Sequence, residues 1–302
     1  MNYRKSLREL TIRDNFMFGA VMSDEENCRR LLEMILQFPI SRVEVSKEKS
    51  IVYHPEYKGI RLDVYAQDEA NTHYNVEMQA ESEKNIGKRS RYYHSHIDME
   101  LLQRGADYGE LPNTYVIFIC DFDPFGGGKY CYIFESLCRD WLESNLGDNR
   151  KSIFLSTKGK NREEVPEALV KFLEYVGAGL EESTRDFGDG YVAKLQKSVQ
   201  DIKASRELEG RYMLFQEVLK KEYAEGMAAG MTAGMAAGMT AGKTEGIIEG
   251  TARNVMKLLG LKGFVAEEIR ARIQDEKDLI VLDKWLEKAA TCKSVEEFVE
   301  NL

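Results

Sequence analysis

Paired cysteines, long apolar runs and a surplus of basic residues are all missing from this chain, and each absence removes a class of protein. Its five cysteines, Cys28, Cys120, Cys131, Cys138 and Cys292, are odd in number and contain no CxxC pair. They read as small buried hydrophobes in a reducing compartment, not as a disulfide framework or a zinc knuckle. The four histidines add no metal spacing, because His94 and His96 stand two apart on an expected helix and face different ways, while His54 and His73 lie far from them. The first ten residues carry charges throughout and no apolar stretch, so neither a signal peptide nor a transit sequence is expected, and the cytoplasm is the expected location. A formal charge of −9 argues against a protein that coats nucleic acid generally, since phosphate binding is dominated by Lys and Arg, and leaves room for a local basic groove. Gly126–Gly128 lacks the GK[ST] ending of a phosphate loop and leads into a strand. What remains is a chain of 302 residues, 43% hydrophobic and 31% charged, able to bury one sizeable core with a smaller appendage.

The stretch GIRLDVYAQDEANTHYNVEMQ, residues 59 to 79, carries the chemistry. Its first arm, Ile60 to Ala66, alternates so that Arg61, Asp63 and Tyr65 share one face and Leu62 and Val64 the other. Its second arm places Asn75, Glu77 and Gln79 on one face and Val76 and Met78 on the opposite one. The polar turn from Asp68 to Thr72 folds the arms antiparallel. A hairpin centred on Ala70 sets Asp63 opposite Glu77 and Arg61 opposite Gln79, with cross-strand Cβ atoms about 4.5–5.5 Å apart. Like charges so placed repel unless a hard divalent cation sits between them. The competing reading is an ordinary half-exposed hairpin, and a different loop register would separate the two acids.

Around it the chain reads as follows. Thr11 to Asp14 opens a helix, with Thr11 as N-cap and Asp14 at the reciprocal position; Asp14 is either a first-turn acid or an extra carboxylate for the site. Glu25 to Gln37 is a second helix stopped by Pro39, and Arg42 to Tyr53 a strand leading through His54, Pro55 and Gly59 into the hairpin. A long helix is expected from Ile86 to about Tyr108. Lys84, Lys88, Arg89 and Arg91 make its start basic. Arg89, Tyr92, His96 and Gln103 fall on one helical face, which either orients a phosphodiester through Arg89 or is a solvated face opposite the core residues Tyr93, Ile97 and Leu101. Thr114 to Cys120 is a strand covered on both faces, with Lys129 to Glu135 as its partner; Ile153 to Ser156 is a strand and Glu163 to Val176 a helix. From Tyr191 to about Tyr223 the spacing is helical with only Gly210 as a break.

Glycine then recurs every fourth residue from Gly226 to Gly250, with Met at 227, 231, 235 and 239. As a helix this presents a small-residue groove suited to close pairing with another helix, and each Gly costs about 0.8–1 kcal/mol of helix stability relative to Ala. The uncharged part, residues 226 to 242, would reach only about 26 Å, short of a bilayer core of about 30 Å, so no membrane association is expected. Homo-oligomerisation through this helix is.

Asp14-Asn-Phe-Met-Phe18, Arg61-Leu-Asp63-Val-Tyr65, Asn75-Val-Glu-Met-Gln79, Lys88-Arg-Ser-Arg-Tyr-Tyr93 and Ile117-Phe-Ile-Cys-Asp-Phe-Asp-Pro-Phe125 together resemble the Rpn family of recombination-promoting nucleases, often labelled transposases, within the PD-(D/E)XK superfamily. The resemblance runs over roughly residues 8 to 220 and implies an α/β fold: a restriction-endonuclease-like core, its mixed central sheet flanked by helices, here with a long helical C-terminal extension. With the helical spacing beyond Gly190, the expected organisation is a PD-(D/E)XK nuclease-like domain over 1–180, a helical segment carrying the glycine repeat over 191–250 and a small helical tail over 251–302. Asp63 resembles the motif aspartate, Glu77 the second carboxylate, and Gln79 stands where the superfamily usually has Lys. Asp14 resembles the supplementary helix acid, and Arg89 and Tyr92 the polar helix that follows. Two departures are visible: Gln79 cannot carry charge, although family members share it, and Gly19 stands where many relatives have Lys.

The reading that follows is a Mg²⁺-dependent DNA endonuclease, with Mn²⁺ as a substitute and with low sequence specificity. Asp63, Glu77 and the Met78 carbonyl would hold the ion. Gln79 would orient water, and Arg89, with Tyr92, Lys88 and Arg91, would contact DNA. The alternative is a nuclease-derived DNA-binding or oligomeric scaffold, inactive because of Gln79.

Overall fold

The computed structural model describes residues 5–47, 50–51 and 60–300, which fall into two compact units, Met1–Leu214 and Phe215–Leu302. The expected loop residues His54, Pro55 and Gly59, and the end of the strand expected up to Tyr53, lie outside the described residues.

In the first unit, α1 (Asn15–Met22) begins after an N-cap at Asp14, not Thr11, because Asp14 keeps extended backbone at φ −80° and ψ 125°. The reciprocal contact survives: the Asp14 carboxylate accepts from the Thr11 N–H at 2.7 Å. Helix α2 (Glu25–Leu36) buries Cys28, Leu31, Leu32 and Ile35 and stops at Gln37, whose left-handed φ of 59° turns the chain out of the helix. Strands β1 (Val43–Lys47), β2 (Ser50–Ile51), β3 (Ile60–Arg61), β4 (Val64–Asp68) and β5 (His73–Gln79) follow, then α3 (Ile86–Leu101), β6 (Thr114–Cys120), β7 (Cys131–Phe134), β8 (Arg150–Ser156), α4 (Glu167–Gly177) and α5 (Gly190–Ala204).

Among the described residues six strands form one mixed sheet in the order β1-β4-β5-β6-β8-β7, and β2 and β3 form a separate ribbon. The three central strands, β5, β6 and β8, are parallel to one another; β1, β4 and β7 run antiparallel to their neighbours. Parallel strands buried on both sides need apolar side chains on both faces, and Val116 to Cys120 are each fully buried. Helix α3 covers one face, where Tyr93 and Ile97 pack on Val116, Phe118 and Phe154. Helices α1 and α2, with α4 and α5 behind them, cover the other.

The expected α/β core with its long C-terminal helix is therefore what folds, with local corrections. The first hairpin arm is not one strand: it breaks at Leu62 and Asp63, and Arg61 pairs with Ser50 instead of Gln79. Helix α3 stops at Leu101, short of Tyr108, and the chain turns at Gly105 with φ +89°, so Gln103 lies off the helix. The strand after the glycine turn is edge strand β7, paired with β8 and not β6. In that turn the Asp123 carboxylate collects the N–H groups of Phe125, Gly126 and Gly128 and the Tyr132 hydroxyl, and Gly126 and Gly128 supply φ of +71° and +66°. Pro166 splits the helix expected from Glu163 into a 3-10 turn and α4. The helical stretch expected from Tyr191 breaks at Ser205, not Gly210. Cys138 is exposed, unlike the buried Cys28, Cys120 and Cys292.

The second unit holds the later part of α6 (Arg206–Gly260), then α7 (Glu267–Asp275), α8 (Leu279–Thr291) and α9 (Val295–Val299). Val255, Leu259, Ile273, Leu282, Ala289 and Phe298 form its core. The glycine repeat is helical within α6, and Met227, Met231, Met235 and Met239 are all exposed. Among the described residues no helix is long and apolar enough to cross a membrane.

Candidate active site

The register of the β4–β5 hairpin follows from its turn. The Asp68 carboxylate accepts from the N–H groups of Ala70 and Thr72, fixing a tight reversal. Val64 then lies opposite Val76 and Tyr65 opposite Asn75, the register expected from a hairpin centred on Ala70. Antiparallel bonding alternates, so an unbroken ladder would have the Met78 N–H donate to the Leu62 carbonyl. The chain bends instead, and the Asp63 carboxylate takes that N–H at 3.0 Å. A residue's N–H and C=O share an edge of the strand, so the Met78 carbonyl looks into the same gap. In return the Asp63 N–H donates to Glu77 Oε1 at 3.2 Å.

Glu77 is 1% exposed, on the β5 face covered by α3, and its second oxygen accepts from Arg89 Nη2 at 3.1 Å and from the Tyr93 hydroxyl at 3.3 Å. Arg89 also donates from Nη1 to Gln79 Oε1 at 2.9 Å and to Glu83 Oε2 at 2.8 Å, and from Nε to the Tyr93 hydroxyl at 2.8 Å. One guanidinium thus ties together both acidic and amide groups of the site. From α1, the Asn15 side chain lies near enough to Asp63 to help hold its carboxyl down. Gly19 brings the same helix so near the bend that an added Cβ would lie 3.4 Å from the Asp63 carbonyl oxygen.

Electrostatics favour a cation here. Burial pushes the Asp63 carboxyl up to about 6, against the pull of the Met78 N–H and of Arg89. Burial and then the neighbouring Asp63 push Glu77 up to about 8, Arg89 offsetting part of this. Beside Glu77 on the same face, Asn75 is fully buried with neither amide atom hydrogen-bonded within the described residues. Hard oxygen donors with unspent polar capacity beside them suit a hard divalent ion.

Of the residues singled out from sequence, Asp63, Glu77, Gln79, Arg89 and the Met78 backbone come together. Asp14 does not join them by any of its hydrogen bonds: its carboxylate binds Thr11 and, at 2.8 Å, Lys5. Tyr92 packs edge-on against His96, ring centroids 4.4 Å apart, and Lys88 and Arg91 are exposed on α3. Sequence reading missed Asn15, which sits beside the acid that drew attention, and Tyr93, read as core. The signal for Tyr93 was its i,i+4 spacing from Arg89.

Residues 13–147 match the family model of the PD-(D/E)XK nuclease family transposases. No curated protein and no solved structure matches the chain. The matched span begins two residues before α1 and runs past β7, so it contains Asp14, Asn15, Asp63, Glu77, Gln79, Arg89 and Tyr93 but not Lys5 or Thr11. The fold, a mixed six-stranded sheet flanked by helices, agrees with that family. Nucleases of this family generally use divalent ions, and DNA is the substrate the family implies.

Proposed function

We propose that this protein is a Mg²⁺-dependent DNA endonuclease of low sequence specificity, acting in recombination or transposition-type reactions in the cytoplasm. The observation that carries the reading is the pair of carboxylates, half-buried Asp63 and buried Glu77, each hydrogen-bonded to a backbone N–H of the other's strand, with Arg89 paired to Glu77. Asp63, Glu77 and the Met78 carbonyl would hold the ion, which when bound acidifies a coordinated water and neutralises charge on the phosphate. Gln79 offers an amide N–H₂ donor and a carbonyl acceptor, enough to orient water but not to add positive charge. Arg89 is set to exchange its carboxylate partners for the phosphate oxygens of the scissile group, a bidentate match for its planar fork. Tyr93 keeps that guanidinium in place through the exchange. Asp14 serves at one remove, holding the turn from which Asn15 meets Asp63. Lys88, Arg91 and Tyr92 line the approach along α3, and the exposed glycine repeat of α6 joins copies of the chain.

Supercoiled plasmid incubated with Mg²⁺, with Mn²⁺ or with chelator tests this directly. Nicking that needs the metal and is lost in Asp63→Ala is expected. Equal behaviour of wild type and variant would instead favour the second reading, an inactive nuclease-derived scaffold, for which the capture of the Gln79 carbonyl by Arg89 speaks.

A further inference from the structure

Beyond the carboxylates, the same end of the sheet carries a second polar assembly that the proposed chemistry does not use. The Asp121 N–H donates to the Gln79 carbonyl at 2.9 Å, and the Thr157 N–H to the Cys120 carbonyl at 3.0 Å. These bonds lace together the chain just past β5, β6 and β8. The Asp121 side chain is 11% exposed and gathers three donors: Arg13 Nη1 at 2.9 Å, Lys158 Nζ at 2.9 Å and Thr157 Oγ1 at 2.8 Å. Burial alone would raise its pKa, yet Lys158, Thr157 and Arg13 hold it below the ordinary carboxylate range.

Two cations converge on one carboxylate already served by a hydroxyl, which is one positive charge more than Asp121 requires. Both keep access to solvent, with side-chain exposures of 33% for Arg13 and 53% for Lys158. Their position is tied to the acid pair through two residues. Arg13 stands two positions before Asn15, whose side chain is near Asp63, and Asp121 is one backbone bond from Gln79, whose side chain bonds Arg89. The carboxylates are therefore flanked by Arg89 on the α3 side and by Arg13 and Lys158 on the α1 side. In a chain of net charge −9, such local placement is what a polyanion would need.

We propose that Arg13 and Lys158, held by Asp121, grip a backbone phosphate of the nucleic-acid strand neighbouring the one presented to Asp63 and Glu77. The inference rests on the nuclease reading for the identity of the polyanion only. As a backbone contact it adds affinity without sequence preference.

The test is binding of a fluorescent duplex, in chelator so that no cleavage occurs, measured by anisotropy across a salt series. The proteins are the full chain, Lys158→Gln, Arg13→Gln, the double variant and, as a charge-matched control, Lys197→Gln on α5. Each single variant should lower the slope of log affinity against log salt by roughly one unit, and the double variant should bind about tenfold or more weakly. The control should match wild type. Lys158→Gln leaves Arg13 on Asp121, so it remains informative should Arg13→Gln fail to fold. Unchanged affinity and slope in folded Lys158→Gln and Arg13→Gln would overturn the inference and leave the pair as an internal counter-charge. Loss of binding in these variants beside a wild type that never nicks plasmid would keep the phosphate grip and sink only the nuclease reading.

Discussion

At Glu77 two demands meet: a carboxylate 1% exposed must either keep a proton or find positive charge. Arg89 supplies some, but burial and Asp63 still hold both acids above their ordinary range. Raised carboxyl pKa values mean that the folded chain retains protons which the unfolded chain has released. The pair's contribution to stability is thus full below the ordinary carboxylate range and is lost as pH rises through about 6 and then about 8. Urea midpoints of metal-free protein are expected to fall across that window and to flatten in Glu77→Gln. Bound divalent ion should reverse the trend, adding about 2.7 kcal/mol at one hundred times its dissociation constant. Tyr93→Phe, which removes the hydroxyl shared by Arg89 and Glu77, should destabilise by about 1–3 kcal/mol in the same measurement. For Tyr93 the only legible signal was its i,i+4 spacing from Arg89, because an aromatic at core spacing on a helix looks the same whether or not its hydroxyl has a partner.

Elements differ in how openly the sequence announces them. The β4–β5 register could be read because a polar turn and strict alternation fix it on both sides. The bend at Asp63 could not, since alternation continues unbroken from Ile60 to Ala66, and only the substitution of a carboxylate for a backbone acceptor ends the ladder. Likewise β7 pairs with β8 across a long connection that no local pattern predicts. Helix α1 delivers Asn15 because Asp14 ties the preceding turn to Thr11 and Lys5. Asp14→Ala, which removes the acceptor of the Thr11 N–H and the partner of Lys5, is expected to cost about 0.5–1.5 kcal/mol. It should slow plasmid nicking without abolishing it, whereas Asp63→Ala should abolish it.

On the scale of the whole chain, the two units answer to different physics. The first is held by a sheet buried on both faces; the second packs short helices on the end of α6, whose glycine repeat meets nothing within 4 Å of an added Cβ. That fact fixes the sign of a substitution. In a lone chain, Gly230→Ala, Gly234→Ala and Gly238→Ala should each stabilise the helix by about 0.8–1 kcal/mol. If the groove packs against a second copy, the added methyls should instead weaken self-association in sedimentation equilibrium. The repeat itself was plain in the sequence, because a period of four needs no tertiary context to be seen.

Plasmid assays respond to traces of any nuclease, so the most direct measurement is of the ion itself: Mn²⁺ titrated into the full chain and read by electron paramagnetic resonance, beside Glu77→Gln. A site on Asp63 and Glu77 predicts saturable Mn²⁺ binding that Mg²⁺ displaces, that strengthens between pH 6 and 8 as the pair loses its protons, and that disappears in the variant. Binding that is absent from the wild type, or equal in the two proteins, would contradict it.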